Sequence, residues 1–544
     1  MSDGTAMFDY IIVGGGTTGC VLSARLSEEP RLRILVIESG EDDQTERTRD
    51  PGQWLGNYYP GSPLDHGLEA TQEAGAHRSI QRVLRGRALG GTSAVNAMIY
   101  HRGTRQDFDA WESLSGCRGW SHADLEPYYL KLERCLDSVA EAGLQRGRDG
   151  VISISGAPLR DHPLSLDFIN ACRAHGAPYL PTPNGAEALG VAHHEFTIDA
   201  AGARSSARDY LRRALAAGNP DLVVRTRTVC LKVLFDGTSA TGVRVLDTRT
   251  QRVEEFHCTR EVIVCCGAIA SPHLLMLSGV GGHMHLREHG IDCVADLPGV
   301  GQNLEDHCGF FVDHAIAPTW LERQPHASSH GAGDVSVFLT RPDVHIEFFT
   351  FNRYTPLEIA FSHYAGVLPN RYFTEVLERH GAERLAALPT FGFLVGLSKP
   401  RDRGAITLAS ADPGERPRIA TRYFDSDADL RDALSALRHT RSLARAMACA
   451  GEELMPGAHL QTDEELGEYI RTVGQSKHHL AGTCRMGDPR RDPLAVVDHA
   501  LRVHGCTRLR VADCSILPEI VTANTQAVAM VIGEKLAGML RASL

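Results

Sequence analysis

A chain of 544 residues exceeds what one hydrophobic core usually organises, so two joined domains are expected. With 43% hydrophobic and 23% charged residues the composition is that of a globular enzyme, and the net charge of −11 repels phosphate at long range. Nucleic acid and anionic membrane surfaces are therefore disfavoured as partners, and a small-molecule substrate is favoured.

The N-terminal stretch MSDGTAMFDY carries an acid and no apolar h-region, so a secretory signal is not expected there, and no window of eighteen uninterrupted apolar residues predicts a membrane span. Fourteen cysteines lie scattered without framework spacing, some inside apolar runs as at Cys265 and Cys266. They predict reduced thiols and a cytoplasmic location, with neither disulfides nor a metal site.

Along the chain, Phe8 to Val13 predicts a strand, Gly14 to Gly19 breaks it, Cys20 to Leu26 resumes with helical spacing, and Leu32 to Ile37 predicts a second strand. That is one β-α-β mononucleotide-binding unit. Gln106 to Leu136 predicts helix anchored by Trp111 and Trp120, and Asp221 to Phe235 and Glu261 to Cys266 return as strands. His345 to Phe351, Phe391 to Leu397 and Ala405 to Ala409 have the texture of an antiparallel sheet. Leu430, Leu434, Leu437 and Met447 mark one face of a helix. Without a repeat or a low-complexity linker, the two domains are expected to interleave.

The chemistry begins at Gly14-Gly15-Gly16-Thr17-Thr18-Gly19, a G-x-G-x-x-G between strand and helix, where glycines let the backbone approach a pyrophosphate at the helix N-terminus. Glu38 ends the second strand, placed to accept hydrogen bonds from a ribose diol and to repel a 2′-phosphate. NADP is thereby disfavoured, while FAD and NAD both remain open at this point.

Two further glycine clusters decide between them. Gly86-Arg87-Ala88-Leu89-Gly90-Gly91-Thr92-Ser93-Ala94-Val95-Asn96 resembles the first signature of the glucose-methanol-choline oxidoreductases, and Gly267-Ala268-Ile269-Ala270-Ser271-Pro272 resembles the second. Further similarity at Val300 to His307, Arg403 to Tyr423, His479 to Gly487 and Val511 to Glu534 extends the resemblance over nearly the whole chain. The resemblance implies an α/β fold, α+β overall, with a Rossmann-like FAD-binding domain interleaved with a substrate domain on an antiparallel sheet. Residues 1–155, 200–309 and 475–544 would form the FAD domain, and 156–199 and 310–474 the substrate domain.

By the same resemblance Gly90, Gly91 and Asn96 would lie along the flavin and its pyrophosphate, with Arg87 fixing that segment. Asp513 would sit near the phosphates and ribityl chain, Val229 would face adenine with its backbone, and Asn524 and Thr525 would join the cofactor site. Some relatives attach FAD covalently through a histidine at the position that is Val95 here, so a non-covalent FAD is expected.

Alcohol oxidation also needs a base, and histidine suits the task because its ordinary pKa is about 6.5. Lys477-His478-His479-Leu480-Ala481-Gly482-Thr483-Cys484-Arg485-Met486-Gly487 resembles the family's catalytic histidine segment, with His479 as base and His478 shaping the substrate pocket. Asn524, counted back from Glu534, matches the partner position and would hold the substrate oxygen, although Gln526-Ala527 departs from the family's pattern. His193-His194-Glu195 lacks metal spacing, the acidic run at Glu41-Asp42-Asp43 is a solvated loop, no G-x-S-x-G elbow occurs, and Asp306-His307 is given no chemistry.

The expected reaction is oxidation of a primary alcohol to an aldehyde, electrons passing to flavin and then to dioxygen or another acceptor. The alternative on the same scaffold is non-oxidative chemistry, as in light-driven decarboxylases, lyases or isomerases; retention of His479 and Asn524 speaks against it. Residues governing substrate choice are expected between about Phe310 and Thr390.

Overall fold

The computed structural model describes residues 7–59, 61–74, 77–136, 139, 145–157, 160–185, 189–324, 335–340, 343–349, 353–354, 358–359, 362–363 and 366–544. The strand Met7–Val13 runs parallel between Ile34–Ile37 and the last residues of Arg252–Val264, whose other side takes Leu509–Val511. All four residues of Ile34–Ile37 are buried, as expected of a parallel strand covered on both faces. Leu222–Arg225 closes one edge, and Thr228–Asp236 and Ser239–Asp247 extend the other as an antiparallel meander. The expected strand from Asp221 to Phe235 is thus two strands on opposite edges, parted at Arg227, where the backbone turns left-handed (φ +52°).

Val13, Val264 and Val511 share one register row, so three parallel strands end side by side. The segments that follow them, Gly14 onward, Cys265 onward and Ala512 onward, open at the same edge. Helix Thr17–Leu26 packs against the C-terminal helix Gln526–Arg541, where Gly533 permits close approach: a Cβ there would lie 2.9 Å from the Thr18 carbonyl oxygen. Buried Glu534 ties this helix down by accepting from Arg25 Nε (2.8 Å) and the Tyr210 hydroxyl (2.6 Å).

The helical texture from Gln106 to Leu136 resolves into Arg105–Ser115 and His122–Leu132, each opened by a capping box, Thr104 with Asp107 and Ser121 with Asp124. Gly116 and Gly119, both at positive φ, part them, and Trp111 and Trp120 are fully buried.

A second sheet is wholly antiparallel, in the order Ala450–Met455, Cys308–Ile316, Thr390–Leu397, Asp343–Phe349, Val335–Thr340, Gly190–His193, with Gln475–Ser476 beside Cys308 and Gly309. Alternation gives it two different faces. On one, Phe310, Val312, Phe393, Val395, Ile346 and Phe348 fill a core with helices Pro163–Ala174 and Asp427–Ala446, including a Phe168–Phe348 stack at 4.9 Å. The other presents two cross-strand rows, Gly309–Gly396–His345 and Phe311–Leu394–Glu347.

Ala405–Thr407 is a strand, as the sequence texture predicts, but it does not join this sheet. It pairs with Arg418–Thr421, which continues onto Leu68–Ala74 and His77–Val83 in a separate four-stranded sheet. Ile406 N donates to the Gly301 carbonyl (2.7 Å) and its side chain is buried in the first core, so this strand is tied to the first core and not to the antiparallel sheet.

Candidate active site

A cavity of about 1410 Å³ lies between the carboxyl ends of the parallel strands and the second face of the antiparallel sheet. This exceeds the roughly 300–1,000 Å³ of pockets for drug-sized ligands, so a dinucleotide and a small substrate can share it. It opens at the edge of an α/β sheet where strand ends leave a crevice for ligands.

Two glycines of the first loop serve different ends. Gly14 has φ +103°, and a Cβ would meet the Cys265 carbonyl oxygen at 2.5 Å, so the chain itself demands glycine. Gly16 has φ −78°, and a Cβ there would meet nothing of the protein nearer than 3.8 Å. Nothing in the chain forbids a side chain at 16; a ligand held close to the backbone would. Gly91 approaches Gly16 so nearly that its Cβ would lie 2.9 Å from the Gly16 Cα, which joins the two glycine loops into one cradle. The residues fit the pyrophosphate of a dinucleotide.

Around that cradle, Thr17 and Thr18 line the cavity, their hydroxyls donating to the carbonyls of Gly90 (3.3 Å) and Ala529 (2.8 Å). Glu38 lines it at the end of the second strand, accepting from Gly40 N (2.7 Å), and burial pushes its carboxyl up to about 6. Val229 and Thr525 stand on the wall. So does Asp513, which accepts from Gly267 N (2.9 Å), the Ser271 hydroxyl (2.5 Å) and Ser515 N (2.8 Å).

Three of the expected cofactor residues do not reach the wall. A Cβ on Gly19 would fall 1.9 Å from the Gly14 carbonyl oxygen, so that glycine lets the helix pack on the loop. Gly90, at φ +92°, donates its N–H to the Gly15 carbonyl (2.8 Å) and turns the chain toward Gly91. Arg87 meets Gly40 through its backbone, against which a Cβ on Gly40 would press at 2.3 Å.

Asn96 lines the cavity within a chain of side-chain bonds: its Oδ1 accepts from Arg204 Nη1 (3.0 Å) and Met98 N (3.0 Å), and its Nδ2 donates to Gln526 Oε1. Gln526 in turn donates to the Thr197 hydroxyl (3.2 Å). The departure from the family pattern at Gln526 is thus an anchor for Asn96. Arg204 and Thr197 carried no signal in the sequence, because each is distant along the chain and acts only through this bond network.

At the far end of the cavity stand His478, His479 and Asn524. A left-handed turn at His478 (φ +64°) and a bond from His479 N to Asp306 Oδ1 (2.8 Å) set the imidazole; Asp306 is itself held by the hydroxyls of Ser476 (2.5 Å) and Tyr423 (2.7 Å). Nε2 of His479 lies 3.1 Å from Asn524 Nδ2, and Nδ1 lies 2.9 Å from Nδ1 of His307. Asn524 Oδ1 is buried and has no partner among the described residues.

The pair Asp306-His307, to which the sequence assigned no chemistry, therefore holds both the backbone and the ring of His479. That supporting role comes from a cross-strand contact that no local pattern encodes. His307 Nε2 lies 3.1 Å from the Ser398 carbonyl oxygen, which only accepts, so the proton sits on Nε2 and leaves Nδ1 bare. His479 must then donate from Nδ1, and its Nε2 is the accepting nitrogen, on which the Asn524 amide rests. Burial, followed by the neighbouring His307 ring and the Lys477 ammonium, holds the His479 imidazole well below its ordinary pKa. Burial likewise pushes His307 and His478 down to about 3. The group is neutral at neutral pH, as an acceptor of a proton must be.

The family model of the GMC oxidoreductases matches residues 8–309 and 400–533. The chain belongs to the GMC oxidoreductase family. An oxygen-dependent choline dehydrogenase from Brucella melitensis is 35% identical over 97% of this chain and 95% of its own, and one from Escherichia coli is 34% identical over 98% and 95%. Pyridoxine 4-oxidase from Mesorbium loti is similar in structure, with a TM-score of 0.82 and 27% identity over 98% of this chain and 99% of that one. This GMC oxidoreductase is an FAD-dependent enzyme acting on CH–OH donors, and the mixed α/β architecture expected from the sequence is the one observed. Among the described residues no helix is long and apolar enough to cross a membrane.

Proposed function

We propose that the enzyme oxidises a primary alcohol to an aldehyde, with His479 as the base, Asn524 holding the substrate oxygen and His478 shaping the pocket. The observation that carries this reading is the hydrogen-bond chain Ser398–His307–His479, which makes Nε2 of a neutral imidazole the accepting nitrogen in the wall of the cavity, where the Asn524 amide meets it. FAD, when bound, supplies the two-electron acceptor for the carbinol hydrogen. His479 Nε2 takes the hydroxyl proton, a role that contributes about 10²–10⁴-fold in rate. The resulting imidazolium keeps its Nδ1–H on His307, so the ring does not need to turn as it charges. Asn524, whose amide reaches Nε2 in the substrate-free site, fixes the oxygen beside that nitrogen, which is positioning rather than proton transfer.

On this reading Gly14, Gly16, Thr17, Thr18, Glu38, Gly91, Asn96, Val229, Asp513 and Thr525 hold a non-covalent FAD, while Gly19, Arg87 and Gly90 shape the loops that do so. Val95 supports the non-covalent state, because a buried valine offers no nucleophile. The electrons would pass on to dioxygen or another acceptor. We place the enzyme in the cytoplasm, a reading supported by fourteen cysteines that are all free thiols. Anaerobic mixing with a panel of alcohols, choline included because the curated relatives are named for it, tests the function. Bleaching of the oxidised flavin band is expected; a band that survives every alcohol refutes it.

A further inference from the structure

Lys477 does something unusual above the cavity. It sits two residues before His479, and its side chain lies down across the antiparallel sheet instead of standing away from it. Gly309 and Gly396 face each other in one cross-strand row; a Cβ on Gly396 would press on Lys477 Cδ at 3.1 Å, and one on Gly309 would touch it at 3.5 Å. Gly396 therefore leaves room for the lysine stem, which lies along the glycine row. The same row ends at His345, and the ammonium arrives there, 3.2 Å from His345 Nδ1 and 2.7 Å from Glu347 Oε1. Although its side chain is only 4% exposed, Lys477 lines the cavity, as does Glu347. An ammonium has three N–H groups, and among the described residues these two partners leave one for a ligand.

A second cation lies flat on the same roof. Arg353 pairs with Asp313 at 2.8 Å and covers the ring of Phe311 from 3.5 Å. Both of these carboxylates and that aromatic face are already engaged by cations of the chain. Near His479, Arg85 lines the cavity with its guanidinium Nη1 donating to the carbonyls of Leu84 and His478, and no carboxylate pairs with it among the described residues. Glu358 lines the cavity as well, but burial pushes its carboxyl up to about 7, which removes much of its charge at neutral pH. Behind Lys477, His345, His101 and His194 pack with ring centroids 5.0–6.3 Å apart and are kept neutral by burial, so they add no counter-charge.

We propose that Lys477 is a specificity-determining residue that binds an alcohol through a second, hydrogen-bond-accepting oxygen group such as a carboxylate, and that this roof disfavours quaternary-ammonium alcohols. A trimethylammonium group has no N–H to offer and needs an open aromatic face or an unpaired carboxylate. Here it would meet cations seated on those groups, and like charge at a desolvated site is penalised. The proposal rests on the reading of the cavity as an alcohol-oxidising site.

The test uses the FAD-loaded enzyme and three rigid alcohols that differ only in the remote group: 4-(hydroxymethyl)benzoate, benzyl alcohol and 4-(hydroxymethyl)benzyltrimethylammonium. For the parent, kcat/KM is expected to be about tenfold or more higher for the carboxylate than for the cation, a difference of about 1.4 kcal/mol or more. Lys477→Met is expected to collapse that ratio chiefly through KM, and Lys477→Arg to keep it. Should Lys477→Met fail to fold or to hold flavin, the parent's Kd for 4-methylbenzoate and 4-methylbenzyltrimethylammonium, read from perturbation of the flavin spectrum, decides instead. Tighter binding of the cation, or an unchanged ratio in Lys477→Met, overturns the proposal while alcohol oxidation stands. Failure of every alcohol to reduce the flavin overturns both.

Discussion

His307 Nδ1 faces His479 Nδ1 at 2.9 Å, and because two bare nitrogens do not bond, this one contact decides which nitrogen of His479 is free to accept a proton. The Ser398 carbonyl fixes the first ring, the first ring fixes the second, and the lone pair is delivered to the side where Asn524 waits.

His307→Ala removes the acceptor for Nδ1–H and lets His479 adopt either tautomer. We expect kcat to fall about tenfold or more with flavin content unchanged, part of the loss proper to a general base that is no longer aligned. His307→Asn offers a carbonyl oxygen as a new acceptor and is expected to recover much of the rate. Steady-state kinetics on both variants check this; a His307→Ala enzyme as fast as the parent removes His307 from the mechanism.

For His479→Ala the expectation is a yellow, folded protein whose kcat is about a hundredfold or more below the parent, because only the proton acceptor is lost. Anaerobic stopped-flow reduction of the flavin isolates the step, and undiminished reduction would exclude His479 as the base.

A base held below its ordinary pKa is deprotonated at neutral pH, so activity is present above its folded pKa and lost as pH falls through it. The acid limb of kcat/KM is therefore expected below about pH 6.5, the ordinary histidine value. Stability moves the same way: below about pH 6.5 the unfolded chain takes up protons that buried His307, His478 and His479 refuse, so folding weakens. A pH profile whose acid limb lies above 7 contradicts this assignment.

Gly16→Val and Gly19→Ala separate ligand space from packing space. At position 16 the protein leaves room, so the variant is expected to fold and to lose FAD. At 19 the new Cβ would overlap the Gly14 carbonyl oxygen, so a drop in Tm is expected even without cofactor. Flavin-to-protein ratios and apoprotein melting curves distinguish them, and stoichiometric flavin in Gly16→Val would refute the cradle.

With a buried valine at position 95, acid precipitation is expected to release all of the FAD into the supernatant. Yellow colour retained in the washed pellet would reveal a covalent bond.

The sequence by itself determined the nucleotide-binding half, because its signals are local: a strand, glycines at fixed spacing and a helix all fall within thirty residues, and the acid Glu38 follows at the next strand end. It also marked His479 and Asn524, since each lies in a distinctive run of residues. What it could not contain were relations between strands far apart in the chain. The partners of Ala405–Thr407, the anchoring of Asn96 by Gln526, the His307–His479 contact and the room that Gly396 leaves for Lys477 all depend on cross-strand register and sheet face. Register is fixed only when the cores close, because a shift of one residue would turn every such side chain to the opposite face.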